Sequence, residues 1–143
     1  MKEIITKSPE ETERLGREMA EKAGPGEIYA LDGDLGAGKT VFAKGFAKGL
    51  GIEESINSPT FTILQVYEEG RLPLYHFDVY RIEDPLEMAE IGYEEYFDGS
   101  GVCLVEWASL IEEILPKETV HITMTRCEGE DNSRLITIEE PRA

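Results

Sequence analysis

The 143-residue sequence predicts a single α/β domain, with a mixed, mostly parallel sheet flanked by helices and β-hairpin additions. Three observations predict it. An apolar strand over residues 27–31 runs into a glycine-rich turn and then a helical stretch that lasts to Leu50. The run Val102-Cys103-Leu104-Val105 is continuously apolar, as a strand covered on both faces must be. Around them lie two pairs of β-rich runs, each pair split by a polar turn.

In order, Lys2 to Thr6 is a short candidate strand. Ser8-Pro9-Glu10-Glu11 opens a helix, with Ser8 as N-cap, Pro9 at the first helical position and Glu11 closing a capping box. Leu15, Met19, Ala20 and Ala23 give that helix an apolar stripe, and Gly24-Pro25-Gly26 ends it. After the glycine-rich turn, Val41, Phe42, Phe46, Ala47 and Leu50 keep helical spacing up to Gly51. Residues 61–68 and 72–80, separated by Gly70-Arg71, predict an antiparallel hairpin. Asp84-Pro85-Leu86-Glu87 repeats the capping signal and starts a short helix that Gly92 ends. Another helical turn is expected over 93–97 and a short helix over 109–115, stopped by Pro116. Residues 120–127 and 135–139 form a second hairpin. No repeat or linker divides the chain, so residues 1–143 are one domain.

Composition narrows the function classes. Thirty acids against fourteen lysines and arginines give a net charge of -16, which argues against a broad nucleic-acid or acidic-membrane surface and leaves room for a local basic patch. The N-terminus is acidic within its first dozen residues, without the apolar core of a signal peptide. No run approaches the ~18 apolar residues of a membrane span. Cys103 and Cys127 lack C-x-x-C spacing and sit in strand-like contexts, which predicts reduced, packed thiols in a cytoplasmic protein.

The turn is Gly33-Asp34-Leu35-Gly36-Ala37-Gly38-Lys39-Thr40, the P-loop pattern, so the domain reads as a P-loop NTPase. Its glycines let successive backbone N–H groups point inward at phosphate oxygens. Lys39 brings a flexible cation to the β- and γ-phosphates, and the Thr40 hydroxyl can ligate Mg²⁺. Glu106 ends the apolar strand as a Walker B acid does, and could hold Mg²⁺ through water, orient an attacking water, or merely cap the next helix. Asp78 is a second acid in an apolar strand; Mg²⁺, a nucleophilic water or a structural ion pair with Arg81 would each satisfy it. Thr60 is a switch candidate or a turn threonine. Trp107 either packs in the core or covers the nucleotide or a partner. His76 and His121 lack metal-ligand spacing and read as structural. The guanine-recognition element and an arginine-rich lid are both absent, which disfavours a Ras-like GTPase and a small-molecule kinase.

Taken together, residues 33–40, Asn57-Ser58-Pro59-Thr60-Phe61-Thr62, Tyr75-His76-Phe77-Asp78-Val79-Tyr80-Arg81, Asp84-Pro85-Leu86-Glu87 and Cys103-Leu104-Val105-Glu106-Trp107 resemble the TsaE (YjeE) family of small bacterial P-loop ATPases. The C-terminal strands match more loosely. The resemblance implies a Mg²⁺-dependent ATP hydrolase, slow on its own, in the pathway that places threonylcarbamoyl on adenosine 37 of tRNA. It implies action on a complex of TsaB- and TsaD-like subunits, with tRNA contacted only indirectly. It assigns Lys39, Asp78 and Glu106 to catalysis, and Thr40 and Glu106 to the metal. Nucleotide contacts fall to Gly33, Asp34, Leu35, Gly36, Ala37, Gly38, Lys39, Thr40, Thr60, Asp78 and Trp107, with Thr12 of the first helix facing the base. A small-molecule kinase and a nucleotide-dependent binding module are the alternatives.

Overall fold

The computed structural model describes residues 2–33, 38–53, 63–129 and 132–141. Seven strands form one sheet: β1 (Lys2–Thr6), β2 (Ile28–Gly33), β3 (Leu64–Tyr67), β4 (Leu74–Asp78), β5 (Val102–Glu106), β6 (Val120–Arg126) and β7 (Arg134–Glu139). Their spatial order is β1-β7-β6-β2-β5-β4-β3. The centre, β6-β2-β5-β4, is parallel, and antiparallel β7 and β3 extend it on either side. Because β1 is antiparallel to β7, it points the same way as the central strands, so five of the seven share one direction. Both expected hairpins are present, as β3–β4 and β6–β7.

Strand alternation divides the core into two layers. Tyr29, Leu31, Leu74, Leu104, Ile122, Met124 and Ile136 face the helices α1 (Pro9–Glu21) and α2 (Lys39–Gly49), meeting Ala20, Phe42, Phe46 and Leu50. Ile28, Ala30, Phe77, Cys103 and Val105 face the other side, covered by Met88, Phe97, Ala108 and Ile111. That cover consists of α3 (Tyr93–Phe97) and two 3₁₀ helices, Pro85–Ile91 and Ala108–Ile114. The sequence marks both as short helices, the first from its Asp84 cap and the second from its stop at Pro116. Ala108–Ile114 is further broken by a kink at Ile111, whose φ of -125° and ψ of 27° are not helical.

The capping signals form as chemistry predicts, with one shift. Ser8 accepts from the Glu11 N–H, while the Glu11 carboxylate reaches past Ser8 to the Lys7 N–H. Asp84 and Glu87 form a complete box, and Gly92 closes that helix at φ 71°. Helices α1 and α2 lie nearly backbone to backbone, since a Cβ on Gly45 would run into the Glu13 carbonyl oxygen. All of β5 is buried, as its unbroken apolar run requires. Both cysteines are free thiols. Burial pushes the Cys103 thiol up to about 12. Among the described residues no helix is long and apolar enough to cross a membrane.

Candidate functional site

The site is built at the carboxyl edge of the parallel strands. Strand β2 delivers Gly33 there, and Gly38 restarts the chain as the N-cap of α2 with φ 97° and ψ 17°, a conformation that suits glycine. Asp34, Leu35, Gly36 and Ala37, together with Thr60, lie outside the described residues. Lys39 and Thr40 occupy the first turn of α2, Lys39 buried and Thr40 exposed.

Strand β5 lies beside β2, and register places Glu106 against Leu31 on one side and Asp78 on the other. Two backbone bonds fix it there: Trp107 N–H donates to the Leu31 carbonyl at 3.1 Å, and Val79 N–H donates to the Glu106 carbonyl at 3.2 Å. Glu106 is only 3% exposed, so its carboxylate needs a partner. His76 provides one, with Nε2 2.6 Å from Oε2. The reading of Glu106 as a surface cap for the next helix is therefore corrected. It is a buried acid anchored from the neighbouring strand.

Trp107 is the only non-glycine residue of positive φ among those described, at 62°. That backbone turns the indole back across the strand ends. The Lys39 ammonium sits 3.4 Å from the centroid of its ring, and the exposed Tyr80 ring packs against the indole at 4.8 Å between centroids. This contact joins Lys39, at the start of α2, to the residue that follows Glu106. A desolvated cation over an indole gains about 2 kcal/mol, which helps offset the burial of Lys39.

Asp78 is half-buried at the end of β4, and its Oδ1 accepts from the Tyr80 N–H at 3.1 Å. It stands beside Glu106 on the same face of the sheet. Thr12 is placed differently. Its hydroxyl is buried and shares a 2.7 Å hydrogen bond with the Thr6 hydroxyl, so in this conformation it ties α1 to β1. A cleft of about 420 Å³ bounded by Leu15, Met19, Tyr29 and Val120 lies at the opposite, amino edge of the sheet, away from these groups.

The TsaE family model, described as threonylcarbamoyl adenosine biosynthesis protein TsaE, matches residues 6–136. The chain belongs to the TsaE family. A Bacillus subtilis protein named tRNA threonylcarbamoyladenosine biosynthesis protein TsaE is 55% identical over 130 residues, covering 91% of this chain and 80% of its own length. A Treponema pallidum protein of the same name is 43% identical over 134 residues, covering 94% of this chain and 97% of its own. A crystal structure of Bacillus subtilis YdiB superposes with a TM-score of 0.85 at 48% identity, over 99% of this chain and 86% of that one.

Within this TsaE-family site, the sequence reading missed the part of His76 and left contacts from the turn over 129–134 open. His76 reads as structural because nothing local ties it to an acid 30 positions away. Arg134 opens β7, and its Nε would lie 3.9 Å from a Cβ on Gly38. Only the fold-back of the β6–β7 hairpin brings it beside Gly38.

Proposed function

We propose that this chain is an ATPase that supports threonylcarbamoyl transfer to adenosine 37 of tRNA, acting on a complex of TsaB- and TsaD-like subunits. The observation that carries this reading is the Lys39–Trp107 contact, because it unites the P-loop lysine and the Glu106 strand end at one edge. The names of the relatives support the pathway.

The donor set fits Mg·ATP. Thr40 and Glu106 offer the hydroxyl and carboxylate oxygens that a hard cation takes, beside the Lys39 cation. When bound, Mg²⁺ would neutralise charge on the β- and γ-phosphates. The chain's own residues do the remaining work. Gly38 lets the backbone turn into α2 so that its first N–H groups face an anion. Lys39 exchanges the indole face for phosphate oxygens and stabilises the charge that grows there during transfer to water. Glu106, at the buried end of β5, would offer its carboxylate to the metal. Asp78, beside it, orients the attacking water or couples hydrolysis to the segment that carries Thr60. With a net charge of -16, the chain itself is poorly suited to holding tRNA, which its partners would bind.

The test is phosphate release from ATP with and without the partner complex. Lys39→Ala should abolish measurable hydrolysis, since losing a phosphate clamp costs about 3–4 kcal/mol of transition-state stabilisation. Wild-type turnover in that variant would overturn the assignment. Transfer of the γ-phosphate to a metabolite, in place of release as inorganic phosphate, would favour a kinase.

A further inference from the structure

The chemistry proposed above acts through Glu106, and the side chain that holds Glu106 has no assigned part in it. His76 is 1% exposed and Glu106 3%, so neither can turn to water for a hydrogen bond. Their contact, Nε2 to Oε2 at 2.6 Å, is a charge-assisted bond in which the imidazole donates and the carboxylate accepts. Nδ1 of His76 is buried and meets no hydrogen-bond partner among the described residues. A proton at Nδ1 would therefore be a buried, unsatisfied donor. The tautomer that avoids this carries its one N–H on Nε2 and gives it to Glu106.

Strand geometry makes the bond directional. His76 pairs with Leu104 and Asp78 pairs with Glu106, so the bond runs diagonally outward along the face shared by β4 and β5. It occupies Oε2 and leaves Oε1 as the other acceptor of the carboxylate. A histidine that only filled space here would leave both oxygens free to rotate about the terminal torsion, which is broad for glutamate.

We propose that His76 is a positioning residue for Glu106, fixing through Nε2 which carboxylate oxygen is presented to the metal. The proposal rests on the reading of Glu106 as the metal carboxylate. Outer hydrogen bonds of this kind pre-set ligand orientation, and their loss weakens metal affinity by about 10–100-fold.

The test uses the full chain with ADP, and Mn²⁺ as a paramagnetic stand-in for Mg²⁺. Free Mn²⁺ is followed by electron paramagnetic resonance, and ADP affinity is measured separately in chelator. His76→Leu and His76→Asn should weaken Mn²⁺ binding to the ADP complex by about tenfold or more. Metal-free ADP affinity should stay within about twofold of wild type. In Asn the amide nitrogen corresponds to Nδ1; in Gln it reaches the Nε2 position. His76→Gln should therefore recover most of the Mn²⁺ affinity, and if the Leu variant fails to fold, the Asn and Gln pair decides. Wild-type Mn²⁺ affinity in the Asn variant, an equal loss of metal-free ADP binding, or a Gln variant no better than Asn would each overturn the proposal. Glu106→Gln separates the two levels. If it leaves Mn²⁺ affinity unchanged, the assignment of Glu106 fails and this proposal with it. If it lowers affinity while the His76 variants do not, only the positioning role fails.

Discussion

At Lys39 the chain keeps a cation against a ring instead of in water. The ammonium is 3.4 Å from the Trp107 centroid, and Lys39 is 7% exposed, so the contact operates where solvent screens little. The left-handed backbone of Trp107, costing about 1–2 kcal/mol for a non-glycine residue, persists because it delivers the indole to this position. A double-mutant cycle of Lys39→Met and Trp107→Leu, read by urea unfolding, should give a coupling of about 2 kcal/mol. A coupling near zero would show that ring and ammonium do not interact in solution. Residues at this scale were legible unequally. Glu106 and Trp107 announced themselves because the apolar run that buries β5 leads directly into them. His76 did not, because its meaning depends on the register that sets it opposite Leu104 and one diagonal step from Glu106. Thr12 came from the family resemblance alone, and the Thr6 hydroxyl that meets it comes from a strand six positions earlier in the chain.

Between elements, one residue binds three of them together. Arg71 lies in the turn between β3 and β4, where the sequence marks only a hairpin break. Its Nη2 donates to the carbonyls of Ala20 at 2.6 Å, Ala23 at 2.8 Å and Glu21 at 3.1 Å, where α1 ends and its last carbonyls lose their helical partners. Its backbone N–H donates to Leu50, the C-cap of α2, at 2.8 Å. A guanidinium at a helix C-terminus also meets the negative end of the dipole. Hydrogen bonds to charged groups contribute about 1.5–3 kcal/mol, so Arg71→Ala should lower unfolding stability by about that amount. Arg71→Lys should restore much of the loss, because all three bonds come from one nitrogen and an ammonium also carries its three donors on one. An unchanged urea midpoint for the alanine variant would show that the latch contributes nothing. The caps of α1 and of the 3₁₀ helix Pro85–Ile91 were readable because a cap is a local bond between near neighbours. This latch spans 51 positions and leaves no local trace.

The whole molecule is organised by its central pair, β2 and β5, which serve both the site and the core. The strand–turn–helix unit and the all-apolar β5 made the α/β class legible. The closure of the sheet by β1 on β7 was not, because the first and last strands choose each other through packing of Ile4, Ile136 and Ile138 beneath α1. The same centre sets an alkaline limit on stability. Cys103 on β5 pairs in register with Ile28 on β2, and burial raises its thiol from 9.0 to about 12. Tyr29, the next residue of β2, is also raised above its ordinary 10.0, first by burial and then by the Glu27 carboxylate. Below pH 9 the thiol is protonated in both folded and unfolded chains, so its stabilising contribution is fully present. Between pH 9 and about 12 the unfolded thiol ionises while the folded one does not. The unfolded chain then binds fewer protons, and stability falls by up to about 1.4 kcal/mol per pH unit for this group. Tyrosine adds its share only above pH 10. Urea midpoints under reducing conditions should therefore begin to fall near pH 9 in the wild-type chain. Cys103→Ala should be less stable throughout, from the cavity, yet its curve should stay flatter between pH 9 and 10. Parallel curves for the two proteins across that window would show that Cys103 ionises as readily in the folded sheet as in the unfolded chain.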